Sequence, residues 1–196
     1  MEDRHRPRWL SPAAIVAGVL WAAHGVFELG RPWGEVSRFD PAVGYGVITD
    51  AALFRIYGLP GPPALLLTGV VVFVLASHVT AGRPARAARW LAVASSVLGA
   101  AAVGGVAIPF EPPFEAGMVF GRLLVSAAAL TLGGAAWRRS WALPGPSLAA
   151  AGALGLLVLA ARVGVNALES LPRAAAIAVV VAFGAAWVVS GWQLRR

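Results

Sequence analysis

The sequence predicts an all-α fold: a polytopic membrane bundle of six transmembrane helices, with both termini cytoplasmic. Three observations predict it. Of 196 residues, 59% are hydrophobic and 13% charged, against about 25% charged in a typical soluble domain. Charge-free stretches occupy 9–27, 56–82, 90–110, 123–137, 140–161 and 174–194. About 20 apolar residues, rising 1.5 Å each, cross a hydrocarbon core of about 30 Å. The third observation is the charge pattern. Ten arginines fall before the first span, in the even-numbered turns and at the C-terminus, opposed only by Glu2 and Asp3. The remaining six arginines share the other side with seven acids. Cytoplasmic loops carry such an excess of basic residues, so the net charge of +7 reflects membrane topology. The bilayer is the expected partner, and nucleic acid is not.

The first span, about 9–28, follows Arg4, Arg6 and Arg8. Its apolar core exceeds the 7–15 residues of a signal-peptide core, so it reads as a true span. Residues 29–60 form a long outer loop with Glu35, Arg38, Asp40, Tyr45 and Asp50. Thr49 is placed to cap a short helix over 50–57, stopped by Gly58 and Pro60. Leu53, Phe54, Ile56 and Tyr57 make that helix apolar enough to lie in the interface. An ordered cover over the outer face is expected. Spans two and three cover about 61–81 and 88–108, with Arg83, Arg86 and Arg89 between them. Residues 109–115 read Pro-Phe-Glu-Pro-Pro-Phe-Glu, and three prolines predict a stiff, extended outer connection. Spans four, five and six cover about 117–137, 147–167 and 173–193. Trp9, Trp90, Trp137, Trp141 and Trp192 then mark the inner interface. Phe27, Trp33, Phe39, Phe54, Tyr57, Phe110, Phe114 and Phe120 mark the outer one, as aromatic belts do. Small residues four apart, such as Ala13/Ala17, Ala101/Gly105 and Ala151/Gly155, serve close helix packing. Leu59-Pro60-Gly61-Pro62 recurs as Leu143-Pro144-Gly145-Pro146, once outside and once inside. An inverted duplication requires that placement, but Pro-Gly-Pro is also a generic way to begin a helix.

Composition removes several chemistries. All sixteen Lys-plus-Arg positions are arginine, which excludes a lysine Schiff base. Cysteine is absent, which excludes disulfides and thiolate metal sites. His24 and His78 belong to opposite ends of their spans, too far apart to ligate one haem iron. No phosphate loop, Ser–His–Asp order or His-Glu-x-x-His helix occurs. Ser126 and Thr131 are expected to bond to helix backbone. No metal site is assigned, and any cofactor is unknown.

The residues that carry chemistry cluster toward the outer side. Arg122 lies about six residues inside the fourth span, and an ionisable group at membrane depth points to a functional site with a partner. His24 and Glu28, spaced i, i+4, share one face of the first span with Trp21 one turn deeper. Arg162, Asn166 and Glu169 make one stripe near the outer end of the fifth. Together these seven residues are expected to line an outward-facing polar pocket, rimmed by Glu111, Glu115 and Tyr57. The arginines suit an anionic group, and Glu28 with the aromatics suits a cationic one.

The expected function is a small bacterial inner-membrane protein that binds a small molecule, with or without transporting it. One alternative is a membrane-embedded enzyme using His24 and Glu28 as an acid–base or metal site. Another is a ligand-free accessory subunit with a membrane-protein partner. In gross design (six spans, both termini inside, a long first outer loop) the chain resembles the membrane-embedded substrate-binding components of energy-coupling-factor vitamin transporters. Ala13 and Ala17 fit the small-residue pattern those components use against their partner. The resemblance is architectural and carries over no residue.

Overall fold

The computed structural model describes residues 7–30, 32, 35–78, 82–139, 143–163 and 172–195, with the side chains of 161–163, 173, 174 and 176 excepted. Helix α1 runs Leu10–Gly30, followed by a hairpin of β1 (Ser37–Asp40) and β2 (Tyr45–Ile48) and by the short α2 (Ala51–Gly58). Then come α3 (Gly61–His78), α4 (Arg83–Ala107), α5 (Glu111–Arg138), α6 (Gly145–Val163) and α7 (Arg173–Gln193). The fold is a helical membrane bundle, as expected. Among the described residues, four segments are long and apolar enough to cross a membrane: α1, α2 with α3, α4 and α5. Helices α6 and α7 contribute the shorter apolar stretches Gly145–Ala160 and Ile177–Gln193.

The six long helices close a ring in the order α1, α3, α4, α5, α6, α7 and back to α1. Helix α5 also touches α3 across the ring. Glycine backbones make the closest seams. A Cβ on Gly18 of α1 would stand 2.5 Å from the Gly184 carbonyl of α7, and one on Gly191 would stand 2.9 Å from the Ser11 carbonyl. On the other side, Gly133 and Gly145 bring α5 and α6 together, and a Cβ on Gly117 would meet the Leu98 carbonyl of α4 at 2.5 Å. Lipid tails give apolar helices no hydrophobic reason to associate, so such close approach supplies the contact. Helices α4 and α5 are further joined by Ser95 Oγ, which donates to the Gly121 carbonyl at 2.9 Å.

The helix boundaries correct the sequence reading in one consistent way. Span three begins at Arg83 rather than 88, and span four at Glu111 rather than 117. Proline is the cause. The first turn of a helix has no use for its N–H groups, so Pro84 and the pair Pro112–Pro113 sit there at no cost. The 109–115 connection is therefore mostly helix, not an extended tether. Span five begins at Gly145, and the expected 164–167 lies outside the described residues. Both Pro-Gly-Pro copies open helices, at Gly61 and Gly145.

The outer cover exists, but it holds a hairpin that the sequence reading missed. Ser37 pairs with Ile48 and Asp40 with Tyr45. Asp40 builds the turn: its carbonyl accepts from Val43 N at 3.3 Å and Gly44 N at 2.9 Å, and its carboxylate accepts from Ala42 N at 2.8 Å. Gly44 takes φ +77°, which a side chain would resist. The cap of α2 is Asp50, whose carboxylate accepts from Ala52 N and Leu53 N, both at 2.9 Å. Thr49, expected in that role, instead donates its hydroxyl to the Glu35 carbonyl. Phe54 does not lie in the interface: it is buried against Phe114, with ring centroids 5.2 Å apart.

At the other end, Arg195 Nε donates to Ser11 Oγ at 3.1 Å, so the start of α1 and the end of α7 lie together. Ser190 Oγ donates to Ser147 Oγ, and Ser147 Oγ to Gln193 Oε1, tying α6 to α7. Trp9, Trp90, Trp137 and Trp192 are exposed at this end. Charge and geometry agree on one arrangement, and reporter fusions check it. A reporter after Arg196 should be active only in the cytoplasm, and one inserted in the 41–44 turn only outside. Activity of both on the same side would overturn it.

Candidate functional site

Helix α5 spans 28 residues, so its midpoint falls between Leu124 and Val125. Arg122 is thus not near the outer end but about 16 Å along the axis from Glu111, close to the centre of the helix. It is only 6% exposed. A cation at the middle of a membrane helix costs about 2.5–3.5 kcal/mol on insertion scales, so its surroundings matter. Its guanidinium carbon lies 4.7 Å from the ring centroid of Trp21, itself 1% exposed. Helices α1 and α5 are not neighbours in the ring. Arg122 and Trp21 therefore meet across its interior.

Other helix midpoints fall on the same level. The centre of α1 is Leu20, beside Trp21; that of α6 is Leu154, beside Gly155; that of α7 is Phe183. Phe183 packs on Trp21 with centroids 5.2 Å apart. Both Phe183 and the hydroxyl of Ser126, one turn beyond Arg122, press on the bare Cα of Gly155. Ser126 does not bond to backbone as expected. Among the described residues, Ser126 Oγ and Trp21 Nε1 are buried without a hydrogen-bond partner, as is Trp187 Nε1 one turn inward on α7.

His24 and Glu28 stand one and two turns outward from Trp21, and both are buried. The His24 ring lies 6.1 Å from that of Trp21, edge to face. Its other side rests on Gly61 at the head of α3, where a Cβ would come within 2.9 Å of Nδ1 and 2.5 Å of the Met118 methyl. The structure thus brings Trp21, His24 and Arg122 together with Glu28 on the same helix face. All four are buried. The Arg162 side chain, Asn166 and Glu169 lie outside the described residues. His78 is elsewhere, its Nδ1 donating to the Val74 carbonyl at 2.8 Å. Among the described residues, no three His, Cys, Asp or Glu side chains are placed to hold a metal ion.

Of the three residues expected at the rim, Glu111 fastens the cover. Glu111 Oε1 accepts from Ser37 Oγ of β1 at 2.9 Å, and its carboxylate presses on the bare Cα of Gly46 in β2. Tyr45 packs edge to face on Phe110, with centroids 5.8 Å apart. Arg55 of α2 donates to the Ala107 carbonyl at 3.2 Å. Tyr57 packs on Phe27 of α1 at 6.1 Å, while Glu115 is half-buried on α5. The cover is therefore tied to both α1 and the α4–α5 corner. An open apolar groove of about 450 Å³ lies at that corner, between Gly104, Ile108, Pro109 and Phe110. The sequence carried only a weak signal for the hairpin: Tyr45, Val47 and Ile48 follow Asp40-Pro41 and Gly44, while the first strand has Phe39 as its one strong β-former.

No family model, curated protein or solved structure matches this chain.

The Glu111 fastening predicts that Gly46→Ala loosens the cover, because the new methyl takes the space of the carboxylate. Limited proteolysis of the 41–44 turn should become faster in Gly46→Ala and Ser37→Ala than in the wild type. Unchanged cutting in both would show that the hairpin is held some other way.

Proposed function

We propose that this chain is a bacterial inner-membrane protein that binds a small molecule at the centre of its helix ring and passes it across the membrane. One observation carries the reading: Arg122 is buried at mid-helix, against Trp21 of a helix that is not its neighbour. An ionisable residue retained at that depth is by default a pointer to a functional site. Polar and ionisable groups at the midplane are the usual anchors of transported solutes. His24 and Glu28 extend the polar line outward from that anchor toward the covered face. The burial of the cluster and the fastened hairpin above it fit a state closed to the outside. The excess of arginine at one end fits insertion in the cytoplasmic membrane.

A melting scan of the detergent-purified protein tests the reading. The panel should include amino acids, short carboxylic acids, sugars and quaternary amines. A ligand at 100 times its Kd adds about 2.7 kcal/mol to the folded state. At least one compound should raise the melting temperature saturably in the wild type and fail to do so in Arg122→Gln. A panel without effect, or one whose effect survives Arg122→Gln unchanged, would contradict the proposal.

A further inference from the structure

Away from the ring centre, the α4–α5 corner joins an open apolar groove to an arginine at its mouth. Ala101, Gly104, Gly105, Ile108, Phe110 and Pro113 are among the residues that line the groove, whose volume is about 450 Å³. From Ala101 to Ile108 it follows α4 for about 10 Å. It opens away from the ring interior: Val97 and Ile108, on the same side of α4, are 65% and 77% exposed. One glycine here is not explained by helix packing. A Cβ on Gly105 would stand 2.7 Å from Phe114 N, whereas one on Gly104 would meet nothing within 4 Å. Glycine weakens a helix interior, and at Gly104 it keeps a hollow in a surface that faces lipid.

Arg55 of α2 stands at the outer end of this groove. Its Nη2 donates to the carbonyl of Ala107, the residue before Ile108. That bond leaves most of the guanidinium N–H groups free to donate, and the side chain is exposed. No carboxylate among the described residues pairs with it. Two acids of the outer end are engaged elsewhere: Asp50 caps α2, and Glu111 accepts from Ser37 Oγ. Ile56 and Leu59, beside Arg55 on α2, are exposed and apolar. A cation above an apolar trough repeats the order of an anionic phospholipid, charge outward and hydrocarbon inward. We propose that Arg55 and the α4–α5 groove bind one anionic phospholipid of the outer leaflet. Its phosphate meets the guanidinium fork, and one acyl chain lies in the groove past Gly104. Charge sets the choice of lipid, because a zwitterionic headgroup brings its own ammonium to its phosphate. The chain alone gives little preference, since it leaves surroundings as apolar as those it enters. The lipid would tie α2 of the cover to the α4–α5 corner, and the site does not depend on the solute-binding reading.

The chain has no cysteine, so a single introduced thiol carries a local reporter. Bimane on Val97→Cys sits one turn below Ala101 on the groove side of α4. The full chain carrying it is reconstituted in phosphatidylcholine vesicles. Phosphatidylglycerol or phosphatidylcholine, brominated in mid-chain, is added as the minor component. Brominated phosphatidylglycerol should reach the reporter with about fivefold preference, the weight of one basic residue at an anionic surface. Arg55→Gln should bring the two lipids to equal quenching. Arg55→Lys should keep the preference, which separates the charge from the bond to Ala107. Gly104→Leu puts a side chain into the groove and should abolish the preference. Arg86→Gln, at the inner end, should leave it unchanged. Equal quenching before any of these substitutions, or a preference that survives Arg55→Gln or Gly104→Leu, overturns the proposal. Should Arg55→Gln fold poorly, Gly104→Leu decides. A reporter that neither lipid quenches means that protein covers the corner, a second copy of the chain included, and overturns it as well.

Discussion

A guanidinium held inside a ring of membrane helices is the constraint around which this structure is organised. Arg122 sits near the centre of α5 and faces Trp21 across the interior. Contact with the ring face is worth about 2 kcal/mol or more when desolvated, the same order as the insertion cost of the charge. Neither residue can be moved alone. Trp21 is wedged by Phe183 of α7 and by His24 of its own helix. Arg122 is fixed by the packing of α5 on α4 and α6. The level that holds these groups thus joins four helices, and a change in ring geometry must change the surroundings of the charge.

The glycines make this possible by bringing helices close where no side chain intervenes. Gly18 with Gly184 sets the α1–α7 seam, and Gly133 with Gly145 sets the α5–α6 seam. Tight outer seams let six helices enclose a polar centre without exposing it to lipid. The hairpin adds a second enclosure. It is fastened by Glu111, the first residue of α5, and that helix also carries Arg122. One rigid element therefore links the cover to the buried charge, so rotation of α5 would disturb both.

Much of this was legible in the sequence. The spans, the inner tryptophans and the grouping of Trp21, His24 and Glu28 follow from hydropathy, charge and helical spacing. What was not legible has particular causes. Pro112 and Pro113 read as an extended loop because proline ends helices, yet it also begins them, and that choice moved Arg122 from the outer end of a span to its middle. The hairpin strands are four residues each, too short for a strong alternating pattern beside the apolar helices. Glu111 looked like a rim group because no one-dimensional pattern pairs it with Ser37, 74 positions earlier. Ser126 looked satisfied because a serine in a helix interior usually bonds back to its own chain, as Thr68 does here with the Ala64 carbonyl.

The central claim is that Arg122 and Trp21 interact inside the ring, and a double-mutant cycle measures it most directly. Unfolding free energies are needed for the wild type, Trp21→Leu, Arg122→Met and the double variant in one detergent. A coupling of about 1 kcal/mol or more is predicted, as for a desolvated cation over an indole. Effects that add to within about 0.3–0.5 kcal/mol, the range for independent sites, would contradict the account.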